Sequence, residues 1–219
     1  LPRMFGKAKQ VSRLREIFAK TRAINLLAAA RIALFGARDV WFVVGLPVFL
    51  YANGWTFAEV GGFLAAWTIG YGAVQGLAHR IVPRSADGLS AEVPAARLWA
   101  SVLAAIPIAI AVVLGTAPAS AAQAVVVAGL ALFGVAFAVN SALHSYLIVA
   151  YAGSEKVAED VGFYYAANAT GRLAGTLLSG LLYQAGGLPA CLLGSFAMLA
   201  CCAAISLALP ARSAAAARA

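Results

Sequence analysis

Residues 25–51 read NLLAAARIALFGARDVWFVVGLPVFLY, and this stretch decides the class of fold. It is apolar on both sides of three charged residues, Arg31, Arg38 and Asp39. A helix crosses the hydrocarbon core of a bilayer with about 20 residues at ~1.5 Å per residue, so the stretch is long enough to span a membrane. A charged side chain at the centre of such a span costs about 2.5–3.5 kcal/mol on insertion scales. We therefore expect these charges to face a bundle interior, a partner or a water-filled path.

The two arginines of this stretch are predicted to share one face of the helix. Arg31 and Arg38 are seven residues apart, which places them about 10 Å apart along the same side. Such a stripe favours a path for anions, with Arg31 lining its cytoplasmic entry. The alternative is that Arg31 reaches back to the nearby headgroups while Arg38 and Asp39 neutralise each other. Because adjacent residues on a helix do not face each other, we expect Asp39 to pair with a residue of another helix.

The composition is that of a membrane protein. Of the 219 residues, 63% are hydrophobic and 11% are charged, whereas soluble domains average about 45–50% and 25%. The net charge of +8 invites a nucleic-acid partner, but the basic residues flank apolar spans as topology signals do, so we expect no nucleic acid. The chain shows no catalytic motif, no metal-ligand cluster and no cofactor motif, and we expect it not to be an enzyme.

The hydropathy pattern predicts an all-α membrane protein with a bundle of six transmembrane helices over residues 23–209. The spans are expected at about 23–51, with a kink at Pro47, and then at 57–77, 98–114, 122–150, 161–184 and 190–209. Residues 1–22 form a basic, amphipathic cytoplasmic linker and residues 210–219 a cytoplasmic tail. Nearly all Lys and Arg outside the spans lie in those two segments and in the 79–97 and 153–160 loops, so both termini are predicted to be cytoplasmic.

Two further spans carry polar residues at depth. Asn140 and His144 are four residues apart and share a face of the fourth span, and Asn168 and Arg172 repeat this spacing on the fifth. With Tyr165, these groups suit an oxyanion, because the planar fork of Arg fits phosphate, arsenate or carboxylate.

Each of these polar residues also has a structural alternative. Asn140, Asn168 and His144 can be interhelical hydrogen-bonding groups, and Arg172 can be an ion-pair partner of Asp39 that holds two helices together. His144 is alternatively a proton-coupling group, since imidazole titrates near neutral pH. A stripe of small residues on the fifth span, Gly171, Gly175 and Ser179, predicts close helix packing.

Four segments carry a resemblance to a known family. They are FGARDVWFVVGLPVFLY at 35–51, NSALHSYLI at 140–148, VGFYYAAN at 161–168 and GRLAGTLLSGL at 171–181. With the basic linker and six spans, the chain resembles the carboxy-terminal half of a twelve-helix major facilitator transporter. Within that superfamily it resembles the organoarsenical-efflux permeases of bacterial arsenic resistance.

The resemblance implies a multi-pass protein of the bacterial inner membrane, completed by an amino-terminal six-helix half. The implied substrate is 1-arseno-3-phosphoglycerate, which a partner glyceraldehyde-3-phosphate dehydrogenase makes from arsenate. The expected substrate-binding residues are Arg31, Arg38, Arg172, Asn140, Asn168 and Tyr165, and the expected coupling or gating residues are Asp39 and His144. The alternatives are a proton-coupled carrier for another organic anion or drug, and a six-helix scaffold that does not transport.

Overall fold

A computed structural model describes residues 20–152 and 157–211, and all regular structure in these ranges is helical. The helices are α1 (Arg22–Phe42), α2 (Gly45–Ala52), α3 (Phe57–Leu77), α4 (Glu92–Thr116), α5 (Ala122–Tyr151) and α6 (Val157–Leu207), with short 3₁₀ turns at Ala78–Arg80 and Ala119–Ala121. The predicted helical class is confirmed. Most of the expected linker and tail lies outside the described residues.

In the described ranges, four helical stretches are long and apolar enough to cross a membrane. They are Arg22–Ala52, Glu92–Thr116, Ala119–Tyr151 and Val157–Leu207. The first of these joins α1 and α2 and contains Arg31, Arg38 and Asp39. These helix lengths and this composition are compatible with a membrane protein.

The first stretch is interrupted earlier than Pro47, where a kink was expected. The break falls at Val43 and Val44, between α1 and α2. Proline lacks the N–H that would bond the carbonyl four residues before it, and its ring crowds that carbonyl, so the disruption falls one turn ahead of Pro47. The Ser179 hydroxyl on α6 accepts from the N–H of Val44 at 3.3 Å and of Gly45 at 3.1 Å. Two backbone donors freed by the break are thus satisfied by a neighbouring helix.

Helix α6 is also interrupted. A continuous helix of its 51 residues would be about 75 Å long, far more than a bilayer core of about 30 Å. Gly186 and Gly187 have non-helical backbone angles, and the φ of +63° at Gly187 is one that glycine adopts without strain. Pro189 follows in the next turn, where its missing N–H is least costly. The break divides α6 into a first segment, residues 157–185, and a second segment, residues 188–207.

Helix α1 packs most extensively on α6, through the predicted stripe of small residues. A Cβ atom added to Gly171 would overlap the backbone of Ile32, and one added to Gly175 would overlap the backbone of Gly36. Backbone therefore meets backbone at both positions, as the small-residue spacing predicted. This close approach brings Arg172, between the two glycines on the chain, to the charged part of α1.

The remaining helices complete the bundle, and α4 packs against α6 as well as α5. Helix α5 packs against α4 and α3, and its residues Phe133 and Phe137 join Trp41 of α1 in the main apolar core. Helix α3 is peripheral, with Val60 its one fully buried residue. At the end of the bundle where α4 begins, Arg97 donates to three carbonyls that close α6, those of Ser206, Leu207 and Leu209, at 2.8–3.1 Å. A cation at a helix carboxyl end is favourably placed in the helix dipole.

Candidate functional site

The charged stripe of α1 is arranged around the ring of Phe35. The guanidinium carbon of Arg31 lies 3.9 Å from the centre of this ring, and that of Arg38 lies 5.1 Å from it. Arginine over an aromatic face gains cation–π attraction, which is larger away from water. The predicted common face for the two arginines is confirmed. Both side chains point into the bundle rather than along the helix to a headgroup layer.

Asp39 is the centre of the charge cluster, and it is only 1% exposed. Its Oδ1 accepts from Arg38 Nε at 2.6 Å, and its Oδ2 accepts from Arg172 Nε at 3.2 Å. The pairing with Arg172 on α6 is the interhelical ion pair that was predicted as the structural alternative for Arg172. The expectation that Arg38 does not pair with its neighbour Asp39 is wrong. The Cβ atoms of adjacent residues diverge, but the Arg38 side chain is long enough to fold back across the helix surface.

The two guanidinium groups on Asp39 differ in their access to solvent. The Arg172 side chain is 57% exposed and the Arg38 side chain is 12% exposed. Each uses only its Nε in the pair with Asp39, and among the described residues the terminal nitrogens of both have no hydrogen-bond acceptor. Two guanidinium edges without an acceptor therefore lie next to a carboxylate that holds them, and that of Arg172 is the more open to solvent. This arrangement suits recognition of an oxyanion that has several acceptor oxygens.

Arg31 lies in a separate, more enclosed place. It is 4% exposed, its NH1 donates to the backbone carbonyl and the hydroxyl of Ser141 at 3.2 Å each, and its guanidinium lies 4.7 Å from the Tyr164 ring centre. The expected place at an entry is therefore wrong, as is the alternative that Arg31 reaches the headgroups. The Ser141 carbonyl and the rings of Phe35 and Tyr164 hold the Arg31 guanidinium inside the bundle. No carboxylate lies within ion-pair distance of it in the part of the chain that the structure describes.

Ser141 belongs to the same polar cluster, although the sequence pattern did not single it out. Besides its bonds to Arg31, its hydroxyl accepts from the Tyr71 hydroxyl at 3.5 Å and from the Gln75 amide at 3.4 Å, both on α3. One serine thus joins α1, α3 and α5. The available signal was its position between Asn140 and His144 on a span otherwise poor in polar residues, but a serine in a span is usually a local hydrogen-bonding group.

Three of the expected site residues have buried polar atoms that lack a hydrogen-bond partner in the described ranges. Asn140 and His144 are 0% exposed, and neither the amide nor the imidazole has a hydrogen bond to any described residue. The side-chain oxygen of Asn168 is likewise buried and unpaired in the described ranges. The interhelical hydrogen bonds that were the structural alternative for these residues are thus not formed. Tyr165 is 56% exposed and packs edge-on against Tyr164 at 5.7 Å.

A groove of about 630 Å³ between α1 and the first segment of α6 is nearly all apolar. Its walls include Ala28, Ile32, Ala166 and Thr170. None of the predicted site residues lines it, so the charge cluster and the groove are separate features.

No protein-family model, curated protein or solved structure matches this chain.

Proposed function

We propose that this chain is one half of a secondary-active transporter that exports an organic oxyanion, with 1-arseno-3-phosphoglycerate as the favoured substrate. The observation that carries the proposal is the Arg38–Asp39–Arg172 cluster, in which one buried carboxylate holds two guanidinium groups whose outer edges are open. Phosphate, arsenate and carboxylate oxygens match these edges in shape and charge.

The cluster provides a gate as well as a binding site. In the absence of substrate, Asp39 supplies the counter-charge for both arginines and so lowers the cost of keeping them at membrane depth. An incoming oxyanion competes for the same guanidinium groups, first for Arg172, which is the more exposed. When Arg172 moves from Asp39 to the anion, the tie between α1 and α6 is released. When the anion leaves, Asp39 takes Arg172 back, so neither arginine stays without a counter-charge.

We further propose that this chain has six spans and that a second six-helix half completes the transporter. Six spans follow if α3 crosses the membrane and the two segments of α6 cross separately, and the distribution of basic residues then places both termini in the cytoplasm. A half-exposed Arg172 at this depth must meet water or protein rather than lipid. An amino-terminal half would cover this face and place the site at the interface of the two halves, near the bilayer midplane.

The arsenical substrate comes from the sequence resemblance, and the charge cluster is compatible with it. A partner glyceraldehyde-3-phosphate dehydrogenase would supply that substrate in the cytoplasm of a bacterial cell. A proton-coupled carrier for another organic anion would use the same arginines. His144 stays a prediction as a coupling residue, and we assign the gating to Asp39, which has contacts on both helices.

A non-transporting scaffold is the second candidate function, and one observation favours it. Asp39 already pairs with Arg38 and Arg172, and Arg31 is held by Ser141 and two rings, so the charges also serve to assemble helices. The transporter requires both the charge and the planar geometry of the guanidinium group, whereas the scaffold requires only the charge.

Arsenate resistance separates the candidates. The chain would be expressed with its amino-terminal half and a partner dehydrogenase in an arsenate-sensitive strain, as wild type and as Arg38→Lys. We expect Arg38→Lys to keep normal protein levels but to lower the export rate about tenfold, which corresponds to about 1.4 kcal/mol and to the loss of one good charge-assisted contact. The matched control is Arg80→Lys, an exposed arginine outside the long helices, which should export normally.

Each other result has a defined meaning. Full resistance with Arg38→Lys would favour the scaffold, since a lysine keeps the charge but not the fork. If the wild-type pair gives no resistance at all, the arsenical substrate is wrong.

A further inference from the structure

The apolar groove between α1 and the first segment of α6 has no part in the proposed function. It is about 630 Å³ in volume and lies near the ends where both helices begin, since Asn25 and Glu159 are among its lining residues. Most of its walls are made of small side chains, which leave space between the two helices. They belong to Ala28, Ala29, Gly162, Ala166 and Ala167. Such a groove suits bulky apolar side chains, which gain free energy when they leave water.

The chain enters the described structure at this same end of the groove. Lys20 is the first described residue, and its Nζ lies 2.9 Å from a carboxylate oxygen of Asp160 and 3.7 Å from one of Glu159. The Lys20 side chain is only 4% exposed. The side-chain amide of Asn25 donates to the Lys20 carbonyl at 3.1 Å. The chain that precedes Lys20 therefore starts from the beginning of the groove, held there on both helices.

The sequence before Lys20 has the apolar pattern that the groove requires. Its bulky apolar residues recur at helical spacing, and they are Val11, Leu14, Ile17 and Phe18. As a helix, residues 11–18 cover about 10 Å along the axis, and the groove wall from Asn25 to Ile32 covers the same length. Phe18 is two residues from Lys20, so their Cα atoms are at most about 7 Å apart. The apolar residues are thus within reach of the groove.

Charge also favours this segment as the occupant. Residues 1–19 contain five basic residues and one acidic residue, whereas two carboxylates, Glu159 and Asp160, lie at the start of α6. These carboxylates attract a basic segment and repel the anionic headgroups of lipids. The segment is also tethered to the groove through Lys20, which gives it an effective concentration on the order of millimolar. A separate partner would have to compete with this local concentration.

We infer that residues 11–18 of this chain dock in the groove, with their apolar side chains between α1 and α6 and with Lys20 as the anchor. The docked segment contacts both helices near their first turns. It adds a second tie between α1 and α6, besides the Asp39–Arg172 pair. The groove is separate from the charge cluster, so the inference does not rest on the proposed function.

Limited proteolysis of the purified full chain tests the docking. Trypsin would cut after Arg13 and Arg15 only when the segment is undocked, so the cleavage rate measures the undocked population. In nanodiscs of zwitterionic lipid, we expect Gly162→Trp to be cut about tenfold faster than wild type, because the indole fills the groove. A Cβ atom at Gly162 meets nothing within 4 Å, so the fold has room for this change. The matched control is Val149→Trp, an exposed position near the end of α5, which should be cut at the wild-type rate.

Chemical cross-linking provides a second measurement, which also serves if Gly162→Trp does not fold. The three native cysteines would be replaced with alanine, and new cysteines would be introduced in pairs. We expect a short bismaleimide to join Phe18→Cys to Gly162→Cys with at least about fivefold higher yield than Phe18→Cys to Val149→Cys. The second pair is the control, because Val149 is exposed but does not line the groove.

Three results would overturn the inference. The first is equal cleavage of wild type and folded Gly162→Trp, which would show that the segment does not use the groove. The second is equal cross-linking of the two cysteine pairs. The third is protection from trypsin that requires anionic lipid in the nanodisc and persists in Gly162→Trp, which would place the segment on the bilayer surface instead.

Discussion

Replacing Asp39 with asparagine is expected to abolish export and to lower the free energy of unfolding by about 3 kcal/mol. Removing one partner of a buried ion pair typically costs about 3–5 kcal/mol, because the remaining charge is left uncompensated. We expect a cost at the lower end of this range because only one of the two arginines loses its compensation fully. The Arg172 side chain is 57% exposed and can be solvated by water, whereas the Arg38 side chain is 12% exposed and cannot. Export is lost because the asparagine no longer provides the charge that returns Arg172 to α1 after the anion leaves.

Arsenate resistance and thermal unfolding in nanodiscs measure the two parts of this expectation. The matched control is Glu59→Gln, because Glu59 is an exposed carboxylate whose partner, Thr56, lies in its own helix cap. Glutamine also serves in this cap, so both measurements should stay at the wild-type level. Normal export by Asp39→Asn would show that the carboxylate has no part in the transport cycle.

The second large effect is expected from adding a methyl group where α1 and α6 touch. Gly171→Ala and Gly175→Ala each place a Cβ atom against backbone, 2.8 Å from the Cα of Ile32 and of Gly36 respectively. Backbone cannot move aside as a side chain can, so the two helices must separate. Overpacking of this kind costs about 1–3 kcal/mol, and we expect about 2–3 kcal/mol for each variant.

Gly180→Ala on the same helix is the control, because its expected effect on stability has the opposite sign. A Cβ atom there meets nothing within 4 Å, and alanine has a helix propensity about 1 kcal/mol better than glycine. Thermal unfolding should therefore show Gly180→Ala as stable as wild type or more so. If Gly175→Ala were stabilised in the same way, the close approach of α1 and α6 would be incorrect.

The features that the sequence predicted well depend on local pattern. The apolar length of residues 25–51 predicted a helix able to cross a membrane, and Arg22–Ala52 is long and apolar enough to do so. The seven-residue spacing of Arg31 and Arg38 predicted a shared face, which their contacts with the ring of Phe35 confirm. The stripe of Gly171, Gly175 and Ser179 was likewise sufficient to predict a close contact. These properties follow from helix geometry alone.

The features that were missed depend on tertiary contacts or on the reach of side chains. Residue spacing predicts the direction in which a Cβ atom points. The Nε atom of Arg38 lies several bonds beyond the Cβ atom of Arg38, so the side chain can fold back and donate to Asp39. The burial of Arg31 depends on which face of α5 presents Ser141, and no helical period encodes the register between two helices. The position of the break before Pro47 also depends on the Ser179 hydroxyl, which accepts hydrogen bonds from the freed N–H groups. This too is a contact between distant parts of the chain.

The affinity of the Asp39→Asn variant for propane-1-sulfonate, measured against wild type, tests the central claim most directly. If Asp39 competes with the anion for Arg38 and Arg172, removal of its charge frees both arginines, and the variant should bind the sulfonate about tenfold more tightly than wild type. Equal or weaker binding by the folded variant would show that Asp39 does not hold these arginines in competition with an anion.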